Sequence, residues 1–274
     1  MKTIIPADIS AVQLQQVMQT AIAPRPIALA STINSKGEIN LSPFSFFNMF
    51  STVPPVVIIS PSRRVRDNTT KHTLENLKEI PELVIGNVNF DMVQQISLAS
   101  TEYEDGVNEF IKSGLTMKPA DLVIPPLIAE SPVNFECKVL EIKSLGELGG
   151  AGNLVIAEIV KIHINEKYLD DQGNLDQKKL DLVARLGGNL YSRSNESNVF
   201  EVPKPLVTKG IGYDQLPDEI KQSHIFTGND LGMLANVEIL PSGVFSSEKD
   251  VHLLAQNYLK NNEIENAWHV LKSD

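Results

Sequence analysis

The segment at residues 40–48 combines polar side chains with aromatic rings over a short stretch of chain. It reads NLSPFSFFN and follows a predicted hairpin turn at residues 34–37. Hydroxyl and amide groups hydrogen-bond to the edge of a polar ring or to a phosphate, and phenyl rings offer a flat apolar surface to a planar ligand. The same pattern is also typical of a strand whose Phe44, Phe46 and Phe47 fill the core while its serines face water. From the residues alone, both interpretations stay open.

Residues 60–73 form a second candidate segment, which is rich in cations and hydroxyl groups. Its polar members include Ser60, Ser62, Arg63, Arg64, Arg66, Lys71, His72 and Thr73. In a chain with a formal net charge of −10, such a cluster suits a phosphate, held by charge-assisted hydrogen bonds and a helix N-terminus. A solvated cationic face has the same composition. The residues alone do not decide between a phosphate site and a surface.

The sequence lacks the patterns of the common hydrolase, dehydrogenase and metal sites. Its histidines show no pair at metal-ligand spacing and no clustered carboxylates; they are His72, His163, His224, His252 and His269. No G-x-S-x-G elbow or G-x-G-x-x-G fingerprint occurs, and the glycines at 149–152 lack the context of a phosphate loop. We therefore predict no metal site and assign no catalytic acid, base or nucleophile.

Cys137 is the only cysteine of the chain. A single cysteine excludes an intrachain disulfide and a zinc site built on several thiolates. It lies in the alternating run at residues 134–139, which is typical of a strand. We therefore predict a buried structural thiol rather than a nucleophile.

Short β-rich runs separated by turns must position these candidate residues. The periodicity predicts strands at residues 27–33, 38–41, 56–60, 83–88, 132–143 and 153–165. It predicts helices at residues 9–21 and 67–80, with a cap at Asp67 or Asn68, and two short helices between residues 91 and 114. Strands at this spacing are typical of an antiparallel barrel or sandwich, here with about six or seven strands.

Length and composition bound the possible functions. The chain has 274 residues, 42% of them hydrophobic, which suffices for a full core in one large or two modest domains. Its excess of acidic residues does not favour binding to nucleic acid or anionic lipid, because both need a clustered cationic surface. The first six residues do not resemble a secretory signal, and no apolar stretch reaches the roughly 20 residues that span a bilayer. We expect a cytoplasmic protein.

The chain changes character after Ser192. Residues 193–210 are polar, carry Pro203 and Pro205, and are typical of a linker, whereas residues 251–271 have the pattern of an amphipathic helix. We therefore predict a domain at residues 1–199. We predict a C-terminal extension at residues 200–274 that packs on the barrel rather than forming an independent core.

Several of these motifs occur in the order found in flavin reductase-like, FMN-binding split-barrel proteins, a family that includes flavoredoxin. The chain resembles this family over residues 20 to 195. The runs that carry the resemblance are APRPIALAST (23–32), a turn with Gly37, NLSPFSFFN (40–48), PP (54–55), KHTLEN (71–76), SPVNFEC (131–137) and RLGGNLY (185–191). The family usually has Asp where His72 stands, which alters the charge balance of that loop.

The resemblance implies a mainly β protein with peripheral helices, folded as an antiparallel Greek-key split β-barrel. It also implies a homodimer with one FMN per subunit near the interface. The residues implied to line the isoalloxazine and the ribityl chain are Asn40, Ser45, Phe46, Phe47 and Asn48. Those implied to hold the phosphate are Ser60, Arg64, Lys71 and Thr73. His163 and Tyr191 are implied at the edge of the flavin or across the dimer.

The implied activity is that of an FMN-dependent oxidoreductase of the flavin reductase type. Hydride passes from NADH or NADPH to the flavin, and electrons pass onward to an unknown acceptor; the chemistry belongs to the flavin, so no general acid is required. Two alternatives stay open. One is a flavodoxin-like or flavoredoxin-like electron carrier reduced by a partner protein, which the acidic surface suits if that partner is basic. The other is a split-barrel binding module without flavin.

Overall fold

The described residues fall into two compact units. The computed structural model describes residues 1–204, 206 and 208–273, so Pro205 of the predicted linker lies outside the described residues. The units are Met1–Val199 and Phe200–Asp274. None of the described helices is long and apolar enough to cross a membrane. The cytoplasmic location and the packing of the extension on the barrel stay predictions.

The first unit is mainly β. Its strands are β1 (Arg25–Pro26), β2 (Ala28–Ile33), β3 (Ile39–Phe44), β4 (Phe47–Thr52), β5 (Pro55–Ile59), β6 (Glu82–Asn87), β7 (Met117–Lys118), β8 (Leu127–Ile128), β9 (Val133–Ser144), β10 (Asn153–Ile164), β11 (Val183–Arg185) and β12 (Tyr191–Arg193). Its α-helices are α1 (Ala11–Ala21), α2 (His72–Glu79), α3 (Val93–Ala99), α4 (Glu109–Ser113) and α5 (Gln177–Leu180). Among the described residues, seven strands form one antiparallel sheet in the order β3-β2-β6-β9-β10-β5-β4. The predicted mainly β, antiparallel fold with peripheral helices is confirmed.

Strand β2 is covered on both faces, which is why its residues 28–30 are apolar without alternation. Leu29 packs in a cluster with Phe110 of α4. Ala28 and Ala30 pack in a second cluster, with Leu74 of α2. Because side chains alternate along a strand, β2 contributes to a core on each side of the sheet.

The NLSPFSFFN segment spans two strands instead of one. β3 continues to Phe44, the chain bends at residues 45–46, and β4 begins at Phe47. The sequence does not predict β4, because its apolar residues do not alternate with polar ones. β4 is an edge strand of the sheet and exposes Met49 and Phe50 by 66% and 63%. The candidate polar residues are therefore divided between two strands and the bend that joins them.

Helix α2 begins at His72, later than the sequence predicts. The Asp67 carboxylate accepts hydrogen bonds from the backbone N–H and the hydroxyl of Thr69, at 3.0 and 2.6 Å. Asn68 adopts a left-handed φ of 57°. The predicted caps are therefore wrong, since a short acidic side chain closes a turn here instead. The two helices predicted between residues 91 and 114 are confirmed as α3 and α4.

Helix α1 confirms the predicted first helix and lies at the surface. It begins at a capping box, in which the Ser10 hydroxyl accepts a hydrogen bond from the backbone N–H of Gln13 at 3.3 Å. None of its eleven residues, all of them described, is buried. Its C-terminal end is held by Arg25, whose guanidinium donates to the carbonyl oxygens of Gln19 and Ile22. α1 is thus tied to the unit at its end rather than by a buried face.

Cys137 lies buried in β9. Burial, together with the charge of Glu136, raises the pKa of its thiol to about 12. A thiol that stays protonated near neutral pH is a poor nucleophile. The predicted buried structural thiol is confirmed.

The second unit is mainly helical. Its elements are α6 (Asp218–Lys221), α7 (Gly228–Leu234), β13 (Val244–Phe245), α8 (Lys249–Lys260), α9 (Ile264–Leu271) and β14 (Lys272–Ser273). Its apolar side chains form a core cluster of their own around Leu234, Leu259 and Trp268, contrary to the expectation from the sequence. The single helix predicted at residues 251–271 is wrong, because Asn262 adopts a left-handed φ of 60° and separates α8 from α9.

Candidate functional site

A groove on the first unit consists of cavities that share lining residues. A cavity of 260 Å³ between the bend at residues 45–46 and the start of α2 is termed the polar cavity. A cavity of 360 Å³ beneath α1, the apolar cavity, shares Phe46, Gln15 and Gln19 with it. On the other side, a cavity of 220 Å³ shares Ser45 and Ser100 with the polar cavity and is termed the arginine cavity. The groove therefore runs through three compartments of different chemistry.

The polar cavity gathers hydroxyl groups and one ammonium group from four parts of the chain. Its polar lining consists of Ser42, Ser45, Ser60, Ser62, Ser100, Lys71, Gln15 and Gln19. Ser60 follows β5, and its backbone N–H donates a hydrogen bond of 2.9 Å to the carbonyl of Phe46. That bond fixes the bend against the end of β5. The predicted residues Ser45, Phe46, Ser60 and Lys71 thus lie together at one cavity.

Lys71 is the cation of the polar cavity. Burial and the nearby charge of Arg64 lower the pKa of its ammonium group. The nearest anion in the described structure is Glu102, whose Oε1 lies 3.7 Å from Lys71 Nζ. That contact is longer than a normal hydrogen bond, so the ammonium group can bind a further anion.

Arg64 does not line the polar cavity, although it was implied as a phosphate ligand. Its guanidinium donates to Glu102 Oε1 at 3.0 Å and to the Thr69 hydroxyl at 2.9 Å. The hydrogen bond from Arg64 holds the pKa of the Glu102 carboxyl below its usual value, against the effect of burial. In this structure Arg64 orders the loop that leads to Lys71.

Asn40 and Thr73 belong to a buried network beside the groove. The Thr73 hydroxyl donates to Asn40 Oδ1 at 2.7 Å, and Asn40 Nδ2 donates to Glu109 Oε1 at 2.8 Å. The backbone N–H of Leu41 donates to the other oxygen of Glu109, also at 2.8 Å. All three side chains are buried, and burial raises the pKa of the Glu109 carboxyl against these hydrogen bonds. The network ties β3 to α2 and α4.

The remaining residues of the 40–48 segment differ in their surroundings. Phe46 is 39% exposed and lies between the polar and apolar cavities. Phe47 packs against the core cluster on the α2 side of the sheet. Asn48 lies on exposed β4, where its Oδ1 accepts a hydrogen bond from the backbone N–H of Met49, and it lines none of the groove cavities. Of these three, only Phe46 faces the groove.

His163 is not among the residues that line the groove. Its Nε2 lies 2.5 Å from Glu136 Oε1, and Glu136 also accepts hydrogen bonds from the backbone N–H groups of residues 121–123. With Asp121, these side chains place three potential ligand atoms within 4.8 Å of one another. The expectation that no carboxylates accompany the histidines is therefore wrong for His163. The Asp121 carboxylate is itself paired with Lys161 Nζ at 2.5 Å, so these acidic groups already have partners.

Tyr191 lines the arginine cavity together with Arg185, which the sequence did not single out as a site residue. The two also line a further cavity of 380 Å³, termed the outer cavity, which continues the groove along β12. Arg185 lies 4.5 Å from the centre of the Tyr191 ring. The RLGGNLY motif contains both residues, and that motif was the available signal for Arg185.

Comparisons with known proteins show what the chain is similar to. Residues 20–182 match the family model described as a flavin reductase like domain. An uncharacterized protein of Aquifex aeolicus is 34% identical over 66% of this chain and 90% of its own. An uncharacterized protein of Halalkalibacterium halodurans is 32% identical over 74% of this chain and 97% of its own.

Solved structures show the same fold. Component B of nitrilotriacetate monooxygenase from Bacillus cereus superposes with a TM-score of 0.68, at 25% identity, over 74% of this chain and 98% of its own. The 2-nitrobenzoate 2-nitroreductase of Pseudomonas fluorescens gives 0.67 at 24% identity, over 77% and 100%. A Shewanella frigidimarina protein described as having a split barrel domain gives 0.61 at 23% identity, over 72% and 95%. The predicted split-barrel architecture is confirmed.

Proposed function

Since the chain belongs to the flavin reductase-like family, we propose that it is an oxidoreductase that binds FMN in the groove and takes hydride from NADH or NADPH. The observation that carries the proposal is the polar cavity. There Lys71 and a ring of serine hydroxyls lie beside the apolar cavity, which has room for rings. A small-molecule site of this kind combines apolar walls with a few placed polar groups.

The residues of the polar cavity fit a phosphate monoester. Lys71 supplies positive charge, and Ser60, Ser62 and Ser100 supply hydroxyl donors from different elements. The partly buried position of Lys71 reduces screening by water and strengthens its attraction for an anion. Arg64, Asn40 and Thr73, which do not line the cavity, act as positioning residues for the loop and helix that present Lys71.

The residues on the α1 side fit a planar ring. Phe46, Leu14 and Met18 give the apolar cavity flat and flexible apolar walls. Gln15 and Gln19, which line both cavities, offer amide donors and acceptors to a polar ring edge. Bound FMN supplies hydride acceptance at its ring and electron transfer onward. The protein's part is to hold the phosphate, orient the ring and cover it with α1.

Spectroscopy of the FMN-loaded protein under anaerobic NADH tests this function. We expect the protein to retain FMN on desalting and the oxidised flavin absorbance to bleach when NADH or NADPH is added. A flavin that stays oxidised with both nucleotides but is reduced by a protein donor would support the electron-carrier alternative. Failure to retain any flavin would overturn the proposal in favour of a binding module.

We also propose that the protein is a homodimer. The edge strand β4 exposes Met49 and Phe50, and Val53 in the following turn is 90% exposed. An apolar sheet edge left open invites unspecific pairing unless another chain covers it. A second copy of this chain is the partner that is always present at equal concentration.

Light scattering of the purified protein measures the assembly directly. We expect twice the 30.2 kDa of one chain, and a shift to one chain for the Phe50→Glu variant, because a buried charge opposes association. The matched control is Ile111→Glu, since Ile111 is apolar, is 75% exposed and lies on α4, which packs on β3 at the opposite end of the strand order from β4. A monomeric mass for the unaltered, FMN-loaded protein would contradict the dimer.

A further inference from the structure

Arg185 is a half-buried cation without an anionic partner. Its Nη2 donates a hydrogen bond of 2.7 Å to the carbonyl of Gly188. Among the described residues, no carboxylate forms an ion pair with it. It lines both the arginine cavity and the outer cavity, so it lies where the two compartments meet.

A second arginine lies beside it and concentrates the positive charge. Strands β1 and β11 pair Arg25 directly opposite Arg185. Arg25 is buried, and its terminal nitrogens donate hydrogen bonds to the carbonyl oxygens of Gln19, Ile22 and Leu186. Burial, and then the charge of Arg185, lower the pKa of the Arg25 guanidinium. Like charges at such a site are costly unless an anion compensates them, which makes the junction attractive to a negatively charged group.

The outer cavity adds two aromatic rings to this charge. Arg185 lies against Tyr191, and Arg193 lies 3.7 Å from the centre of the Phe90 ring. Arg193 is fixed by Asp181, to which it donates hydrogen bonds of 2.7 and 2.6 Å. Both rings line the cavity, whose volume is 380 Å³. Exposed rings next to planar guanidinium groups are surfaces on which a purine base stacks.

We propose that the arginine and outer cavities together bind an adenosine diphosphate group, with Arg185 on the diphosphate and the adenine beside Tyr191 and Phe90. The inference rests on the proposed function, because Ser45 and Ser100 line both the arginine cavity and the cavity assigned to the FMN phosphate. Two cofactors carry this group, FAD and a nicotinamide dinucleotide. In FAD, one phosphate of the diphosphate is the FMN phosphate itself, so only the second phosphate lies in the arginine cavity. In a nicotinamide dinucleotide, both phosphates lie there, beside the FMN phosphate.

Calorimetric titration with ADP tests the subsite without relying on activity. We expect ADP to bind the flavin-free protein, and the Arg185→Gln variant to bind it at least tenfold more weakly, as loss of a charge-assisted contact predicts. Arg185→Lys keeps the charge without the planar fork and should fall between the two. The matched control is Arg66→Gln, because Arg66 is exposed, is paired with Glu102 and lies outside the groove lining. Unchanged circular dichroism and melting temperature show that each variant is folded.

The same titrations separate the two sources of the group. If FAD binds more tightly than FMN, and Arg185→Gln abolishes the difference, the group belongs to the flavin. If ADP still binds the FMN-saturated protein, and Arg185→Gln raises KM for NADH tenfold with kcat unchanged, it belongs to the nucleotide co-substrate. Either result supports the subsite.

Three results would overturn the proposal. The first is that the unaltered protein binds no ADP at millimolar concentration. The second is that the unaltered and Arg185→Gln proteins bind ADP with equal affinity. The third is that Arg185→Gln weakens FMN binding but leaves ADP binding unchanged. Failure of the proposed function is distinguishable, because a protein that retains no flavin can still be titrated with ADP. ADP that binds at the Lys71 site instead would be lost in Lys71→Met and kept in Arg185→Gln.

Discussion

The Lys71→Met protein is expected to bind FMN more weakly by about tenfold to a hundredfold, since a hydrogen bond to a charged group contributes about 1.5–3 kcal/mol. Methionine keeps the length and apolar stem of lysine but removes the charge of the polar cavity. Glu102, which lies 3.7 Å from Lys71, keeps its ion pairs with Arg64 and Arg66, but the variant removes the positive charge that stands between this carboxylate and the cavity. Both effects oppose the binding of a phosphate.

Quenching of flavin fluorescence on binding measures the dissociation constant. Lys78→Met is the matched control, because Lys78 lies on α2, which begins directly after Lys71, pairs with Glu75 at 2.9 Å and does not line the groove. We expect its FMN affinity to match that of the unaltered protein. Equal affinity of Lys71→Met and the unaltered protein would show that the phosphate is held elsewhere.

The Glu109→Ala protein is expected to lose about 3 kcal/mol of unfolding free energy, because removing one member of a buried network leaves its partners unsatisfied. Asn40 Nδ2 and the backbone N–H of Leu41 both donate to this carboxylate. Urea unfolding measures the loss. Glu104→Ala, at an exposed position of the preceding loop, is the control that should change stability little.

The Glu109→Gln protein is expected to recover most of that stability. If the Asn40 amide flips, glutamine donates to Asn40 Oδ1, Asn40 Nδ2 donates to the Thr73 hydroxyl, and the glutamine oxygen still accepts from Leu41. Glutamine should also remove a pH dependence. Burial raises the pKa of Glu109 above 4.5, so between 4.5 and the raised value the folded state binds more protons than the unfolded state. In that window the contribution of Glu109 to stability falls as pH rises.

A loss of less than about 1 kcal/mol in Glu109→Ala would contradict the structural role of the network. A stability profile with the same pH dependence in Glu109→Gln and the unaltered protein would contradict the assignment of that dependence to this carboxyl. The two measurements are independent, since one concerns unsatisfied donors and the other a bound proton.

The sequence predicted six of the seven strands of the described sheet, missing β4, and several residues of the groove, but not which side chains face it. Asn40 and Ser42 both lie on β3, two residues apart, and therefore on the same face of the strand. Ser42 lines the polar cavity, whereas Asn40 lies about 7 Å further along the strand and meets Thr73. The alternation of side chains along a strand predicts which face of the sheet a residue lies on. The position of the helix that covers this face determines which side chains the residue contacts.

Contacts between residues far apart in the chain could not be predicted from the sequence. Glu109 meets Asn40 across 69 positions, and no local pattern marks that pairing. The acidic partner of His163 is 27 positions away, on the neighbouring strand β9, so its environment depends on strand register. Arg25 and Arg185 likewise become neighbours through the pairing of β1 with β11. Motif order predicted several residues of the groove, whereas tertiary pairing determines which side chains meet there.

The exposed position of helix α1 has a further consequence for the exchange of a ligand bound beneath it. A helix without a buried residue, held at its end by Arg25, adds little to the cooperative stability of the barrel. Its detachment is a local opening with a free energy well below that of global unfolding. The exchange rate of a ligand beneath it and the melting temperature of the sheet are therefore separable quantities. Selection acting on α1 can change the residence time of the ligand while leaving the thermal stability of the barrel untouched.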